Sequence, residues 1–252
     1  LNFVVPTEFV ELPSEGKYYP EGHTLHGVSQ IEIKYMTAKE EDILTSAALL
    51  KKGVALDRML KSIIVDKSIN IDDLLVGDKN AILVAARVSA YGAQYSARVT
   101  CPVCTAGTKH EFDLSDYQTI EPELGDGVAA TENGTFTITL PKTGAVVEVK
   151  LLTGHDEKRL ASIQKNRNKN KLGDLVLTDQ VKTFVVSVNG VDDKGPINQF
   201  IENMPAFDSK FLRNAYKNLT PNIDMRQDFQ CIVCDHSDRL EVPFNTEFFW
   251  PK

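Results

Sequence analysis

The only cysteines in the chain form two matched pairs, Cys101-Pro102-Val103-Cys104 and Cys231-Ile232-Val233-Cys234. A C-x-x-C turn holds two thiolates about 3.5 to 4 Å apart, one edge of a tetrahedron, and a second such turn supplies the opposite edge for one Zn²⁺. The other chemistries open to these thiols are two disulfides, free thiols or a redox C-x-x-C. A disulfide closed within a C-x-x-C loop is strained and commonly catalytic, and catalytic motifs of that kind open a helix. Here each pair lies between extended runs, Tyr95 to Thr100 and Lys109 to Leu114 around the first, Met225 to Gln230 and Arg239 to Phe244 around the second. The expectation is a split zinc ribbon with Cys101, Cys104, Cys231 and Cys234 as ligands. Four cysteines leave no open position for a reacting water, so the metal is expected to be structural. Residue types alone leave iron open as the ion. His110 and His236 adjoin the knuckles, but four sulfurs already complete the set. Ordinary ribbons keep their knuckles roughly 15 to 20 residues apart; here the metal must join distant parts of the chain.

No other constellation carries chemistry. The sequence holds no G-x-x-x-x-G-K-S/T or G-x-G-x-x-G phosphate loop, no H-E-x-x-H and no G-x-S-x-G. Asp72 and Asp73 adjoin each other and read as a helix start rather than as an acid and a base set apart by their surroundings. An enzyme is unsupported, and no small-molecule substrate is expected. The 252 residues, 42% hydrophobic, suffice for one large or two small cores. A net charge of -7 opposes a general nucleic-acid binder, which needs a basic face. Lys165, Arg167, Lys169 and Lys171 alternate with asparagines but with no aromatic for base stacking, and read as a solvated loop. No apolar run approaches the roughly 18 residues of a membrane helix, and no basic flank with an apolar core opens the chain. Folding in the cytosol, with thiols held reduced, is the expectation.

Residues 1–26, rich in proline and glycine but carrying Phe9, Leu12, Tyr18 and Tyr19, read as an extended arm that packs on its own domain or docks on a neighbour. Ile31, Ile33 and Tyr35 alternate with charged residues as in a strand, and Thr37 with Glu40 forms a capping box for a helix ending at Gly53. Ala55 to Val65 reads as a second helix, and Asp78 caps a third, Lys79 to Tyr91, ended by Gly92. The second half repeats this order. Glu148 to Thr153 lies without gaps on Glu32 to Thr37, and one constant offset places Asp208 on Asp78, Ala215 on Ala85, Cys231 on Cys101 and Cys234 on Cys104. The expected fold is α+β: two pseudo-symmetric copies of a strand, helices and zinc-knuckle unit, residues 27–120 and 134–252, joined by a linker at 121–133 and clamped by the split ribbon. Thr135 to Leu140 and Ala145 to Leu151, around Pro141-Lys142-Thr143-Gly144, predict a hairpin at the start of the second copy. The cluster Phe244, Phe248, Phe249 and Trp250 either plugs a groove or enters a partner.

The arm Phe9-Val10-Glu11-Leu12-Pro13-Ser14-Glu15-Gly16-Lys17-Tyr18-Tyr19-Pro20, the run Ile33 to Leu44, Leu49 to Gly53, Asp73 to Lys79 and the first knuckle resemble the baseplate hub subunit and hub-assembly proteins of T4-like contractile-tailed bacteriophages. The resemblance spans roughly residues 9 to 115, and the Phe248-Phe249-Trp250-Pro251 ending resembles longer members. It implies a non-enzymatic protein that helps build the hub region of the tail baseplate by binding other baseplate and tail proteins, found in the virion tail and, during assembly, in the host cytoplasm. Tyr18, Tyr19, Phe248, Phe249 and Trp250 are the expected partner contacts. A transient hub chaperone absent from the particle and a zinc-ribbon nucleic-acid adaptor are the rival readings.

Overall fold

The computed structural model describes residues 4–169, 176–243 and 248–249. Strand β1 (Thr7–Glu11) pairs antiparallel with β2 (Gln30–Lys34), Val10 facing Ile31, and the alternation buries Val10, Ile31 and Ile33. The segment expected as an extended arm therefore contributes a strand, and the residues after it are folded back by turns. Leu12 N–H donates to Ser29 and Gly27 N–H to Gly16. Gly16 lies at φ 71°, and a Cβ there would fall 2.3 Å from Val28 N, so only glycine fits.

Helix α1 (Ala38–Thr45) begins at the Thr37–Glu40 capping box. The helix expected to run on to Gly53 breaks at Ser46, which turns extended and caps α2 (Ala47–Lys52) through Leu49 N–H; Gly53 closes α2 in the left-handed conformation. Serine competes with the helix for backbone donors, which makes it a natural break. Helix α3 (Ala55–Ile63) buries Met59, Leu60 and Ile63. A 3₁₀ turn (Ile71–Asp73) leads into α4 (Val76–Tyr91), and Asp72 and Asp73 fall in that turn. The first cysteine hairpin, β3 (Gln94–Thr100) with β4 (Gly107–Asp113), follows.

Short strands β5 (Gln118–Ile120) and β6 (Val128–Ala130) precede β7 (Thr135–Thr139) and β8 (Val146–Lys150), which form the expected hairpin. Helix α5 (Gly154–Lys169) takes in most of the Lys/Asn stretch expected as a loop; Lys171 lies outside the described residues. After α6 (Val176–Phe184), β9 (Val185–Val188) completes a four-stranded antiparallel sheet ordered β6-β7-β8-β9. Helix α7 (Lys194–Asn203), not foreseen, and α8 (Ala206–Leu219) lead to β10 (Asn222–Asp224) and the second cysteine hairpin, β11 (Arg226–Gln230) with β12 (Ser237–Glu241). The architecture is α+β.

The two halves interlock. Strand β10 pairs with β5, Val76 N–H donates to Leu152, and Gly154 N–H donates to Leu74. Gly77 packs so closely on Pro221 that a Cβ would fall 1.9 Å from its carbonyl oxygen. Lys79 bridges Asp57 (3.2 Å) and Glu157 (3.3 Å), and Lys158 bridges Asp57 (2.9 Å) and Asp72 (2.5 Å). Burial works against the Asp57 carboxylate, but Lys158 and Lys79 hold it below its ordinary pKa. One contiguous apolar core contains residues of both halves.

Two buried carboxylates fix the strands to the helices in parallel ways. Asp78, in the first turn of α4, is not a helix cap: it accepts from Ser14 N–H (2.9 Å), Ser14 Oγ (2.6 Å) and Tyr19 OH (2.7 Å). Asp208, in the first turn of α8, accepts from Lys142 N–H (2.9 Å), Thr143 N–H (3.0 Å) and Thr143 Oγ1 (2.8 Å). The turns that supply these donors are Leu12-Pro13-Ser14-Glu15-Gly16 after β1 and Leu140-Pro141-Lys142-Thr143-Gly144 after β7, both Leu-Pro-x-x-Gly. Each carboxylate also lies where the helix dipole favours negative charge.

Asp78→Ala leaves the Ser14 amide and the Tyr19 hydroxyl without an acceptor, and should cost roughly 3 kcal/mol of unfolding free energy in urea. The acid responses of the two carboxylates have opposite signs. Burial resists ionisation of Asp208, but donors from Thr143 and Lys142 bring it below 3.8, so its contribution is complete above pH 3.8 and lost as pH falls through the lower folded value. Burial raises Asp78 above 3.8, so its contribution is complete below pH 3.8 and lost as pH rises through the higher folded value. In unfolding midpoints between about pH 2 and about pH 6, Asp208→Asn should therefore flatten the acid loss of stability and Asp78→Asn should steepen it.

Candidate metal centre

Both cysteine turns are built on one backbone pattern. In the first, Cys101 N–H donates to Ala106 (3.0 Å) and Thr105 N–H returns to Cys101 (3.0 Å); in the second, Cys231 N–H donates to His236 (2.8 Å) and Asp235 N–H returns to Cys231 (3.0 Å). The residue after each second cysteine is left-handed, Thr105 at φ 59° and Asp235 at φ 57°. That turn folds each strand end back so that both thiols of a pair point the same way.

The two hairpins meet tip to tip. Cys101 Sγ lies 3.8 Å from Cys234 Sγ and Cys104 Sγ 3.6 Å from Cys231 Sγ, across 133 and 127 positions of sequence. All four sulfurs fall within 4.8 Å of one another, and all four cysteines are free. A disulfide would bring two of them to about 2.05 Å. A tetrahedral ion with metal–sulfur bonds near 2.3 Å sets its ligands about 3.8 Å apart, which the closest pairs match. Cys101 and Cys231 are buried and Cys234 is exposed, so the group lies at the surface end of the hairpins. The N–H groups of Val233 and Cys234 draw the Cys231 thiol below its ordinary pKa. Cys234, in spite of the His236 N–H aimed at it, is pushed up by its neighbouring sulfurs, Cys104, Cys231 and Cys101. Four thiolates this close repel one another unless a cation stands among them.

Neither histidine joins the group. The His110 ring packs edge-on against Phe112 (4.7 Å) and Phe229 (5.5 Å), one from each hairpin, and His236 Nε2 lies 3.7 Å from Asp238. Gln227 ties the hairpins farther along, its amide donating to Asp113 O (2.5 Å) and its carbonyl accepting from Asp113 N–H (3.0 Å). These cross-links position the sulfurs; nothing in the spacing of Gln227 announced its role.

Of the expected partner contacts, Tyr19, Phe248 and Phe249 are buried within the chain. The Tyr19 ring is buried, and its hydroxyl is bound to Asp78 and to Leu75 N–H (3.0 Å). Tyr18 is half-buried, 5.4 Å from the Phe136 ring. Phe248 and Phe249, 1% and 4% exposed, plug the side of α4. Fully buried Arg87 holds the Phe248 carbonyl through Nε (2.5 Å) and Gly92 O through Nη1 (2.8 Å), while the Phe248 ring stands edge-on to Tyr95 at 5.3 Å. Tyr19, Phe248 and Phe249 thus pack within the core of the chain. Phe244 and Trp250 lie outside the described residues.

A larger cavity of about 950 Å³ is lined from α5, α6, α8 and the β5–β10 pair. Its Asp224 is clamped by Arg226 (2.6 Å), which holds the carboxyl down to about 2, a fixed anion rather than a proton carrier. Among the described residues no helix is long and apolar enough to cross a membrane.

Fold and site together define an α+β protein whose distant cysteine hairpins converge on one cluster of thiols able to hold a metal. The chain belongs to the T4 bacteriophage base plate protein family, whose model matches residues 5–250. Comparison with curated proteins and with solved structures returned no match. Membership makes this a phage baseplate protein of the virion tail, and the family's structural role implies a non-enzymatic one here.

Phe248→Ala should lower unfolding free energy by about 3 kcal/mol, the cost of emptying a packed aromatic site. An unchanged urea midpoint would show that the ring contributes nothing to the fold and return it to the partner-contact reading.

Proposed function

We propose that this chain is a component of the baseplate hub region of a contractile-tailed phage, acting by binding other baseplate and tail proteins. Cys101, Cys104, Cys231 and Cys234 hold one structural Zn²⁺ that closes the body of the protein. The observation that carries the metal reading is the meeting of four sulfurs within 4.8 Å from two hairpins of identical backbone pattern. The hub assignment rests on the resemblance of the arm, the Ile33–Leu44 run and the first knuckle to hub proteins, within a family match that reaches both halves.

The two-copy reading is part of the proposal and gains support beyond the cysteines. Thr37 and Glu40 on one side correspond to Thr153 and Asp156 on the other: Thr37 N–H reaches Glu40 at 2.9 Å and Thr153 N–H reaches Asp156 at 3.1 Å. The Leu-Pro-x-x-Gly turns and their carboxylates Asp78 and Asp208 form a second matched set. This extends the first copy back through β1, the counterpart of β7. The linker at 121–133 then joins units that both begin with a strand pair.

Purified chain should bind a single Zn²⁺, and Co²⁺ in its place should give the intense visible bands of a tetrahedral four-thiolate site, lost in Cys104→Ser/Cys234→Ser. Absence of those bands in the wild type, or an iron-coloured protein as isolated, would remove zinc. Quantitative mass spectrometry of intact particles tests the role: peptides of this chain should appear in a fixed low ratio to a known baseplate subunit. Their absence from particles but abundance in infected cells would replace the structural component with a transient chaperone.

A further inference from the structure

The chain carries a net charge of -7, yet one concave depression of about 560 Å³ on the first half is lined by Lys34, Lys39, Arg58, Lys61 and Lys67. The fold gathers them from separate elements. Burial of Ile31 and Ile33 turns Lys34 of β2 away from the core, and burial of Met59, Leu60 and Ile63 turns Arg58 and Lys61 of α3 outward. Lys39 opens α1. Lys67 is pinned at the end of α3, where its ammonium donates to the carbonyls of Lys61 (2.9 Å), Ser62 (3.0 Å) and Ile64 (2.5 Å).

These charges are only partly answered from within. Lys34, Lys39, Arg58 and Lys61 have no ion-pair partner among the described residues. Glu40 offsets part of this charge: its carboxylate, held by Thr37 N–H (2.9 Å), Thr37 Oγ1 (2.6 Å) and Ser62 Oγ (2.5 Å), attracts Lys34 and Lys67 but closes no ion pair with either. Burial and the neighbouring Lys34 and Lys39 pull the Lys67 ammonium below its ordinary pKa, a sign of cations crowded together. Other cations of the chain do close ion pairs: Lys150 meets Asp156 at 2.7 Å, Arg167 meets Asp179 at 2.9 Å and Lys182 meets Glu202 at 2.5 Å.

We propose that this depression is a docking site for a carboxylate-rich segment of a partner protein. Half-buried Ile43 and Leu49 in its lining receive an aliphatic side chain carried between the acids. Charge complementarity selects the occupant: an anionic segment relieves the repulsion among the cations, and apolar contact fixes its register. The lining has no aromatic for base stacking. The site adds a docking chemistry to the protein-binding role proposed above and does not depend on the hub location.

The test is fluorescence anisotropy with a labelled peptide of glutamate, aspartate and leucine, beside its glutamine and asparagine counterpart and a labelled DNA duplex. The acidic peptide should bind the wild type, weaken with salt, and lose about tenfold or more in affinity on Arg58→Glu/Lys61→Glu, with Lys39→Glu as a milder second variant. All three side chains are exposed, and an unchanged thermal midpoint checks that the variants fold. Equal binding by the amide peptide, no effect of either variant, or tighter binding of the duplex would each overturn the proposal. So would self-association of the wild type, seen by sedimentation and abolished by the same substitutions, because the occupant would then be a second copy of this chain. A chain present in particles that ignores the peptide would sink the docking site and leave the baseplate role standing.

Discussion

Two hairpins lying 127 to 133 positions apart must bring their tips to one point, and the rest of the molecule is arranged so that they arrive there. Closing a loop of that length costs several kcal/mol of chain entropy, and four thiols alone provide no attraction to offset it. The closure is therefore prepared upstream. Pairing of β5 with β10, the backbone exchange between Leu74–Val76 and Leu152–Gly154, and the Lys79 and Lys158 bridges all hold the halves together apart from the sulfurs. A metal bound at the tips then acts on a site already assembled, and its binding free energy adds to the stability of the whole chain rather than of one hairpin.

The same device can be used twice with different electrostatic results. Asp78 accepts two donors from a Leu-Pro-x-x-Gly turn and one from Tyr19, and Asp208 accepts three from its own such turn, yet Asp78 is raised and Asp208 lowered. Two of the Asp78 donors are hydroxyls, Ser14 and Tyr19, in a deeply enclosed place where desolvation dominates. Asp208 receives two backbone N–H groups and lies near the Lys142 charge. Cations also differ in their surroundings: Lys150, Arg167 and Lys182 are paired within the chain, whereas Lys34, Lys39, Arg58 and Lys61 share one depression without an ion pair. On the two-copy reading proposed above, corresponding positions of the copies carry different electrostatic surroundings, which is how related surfaces could come to bind different partners.

What could be read from the sequence was local. A C-x-x-C pair, a capping box at Thr37–Glu40, a Pro141–Gly144 turn between alternating runs and glycines ending helices at Gly53 and Gly92 each encode their structure within a few residues. Asp78 misled because a carboxylate in a first helical turn ordinarily serves that helix, whereas its donors here come 59 and 64 positions away. The Leu-Pro-x-x-Gly recurrence was hidden because the connection to the next strand is long after Gly16 and absent after Gly144, so the two turns do not share the offset of the cysteines. Ser46 breaks a helix whose apolar stripe runs straight through it. The basic depression draws on β2, α1, α3 and the turn after α3, and its lack of ion pairs among the described residues is visible only in three dimensions.

Burial of the terminal aromatics bears on how such a protein avoids associating too early. Arg87 grips the Phe248 backbone carbonyl rather than relying on its ring alone, and the Tyr95 hydroxyl donates to Pro243 O, so the C-terminal approach is tied to the strand that carries Cys101. Free aromatic rings at a terminus would offer an indiscriminate apolar patch to any partially built assembly. A charged depression with a small apolar floor offers instead contacts that are steered by complementary sign and repelled by the wrong one. If the chain docks on other baseplate proteins as proposed, packing Phe248 and Phe249 inward and leaving the charges outward would shift control of assembly from stickiness to recognition.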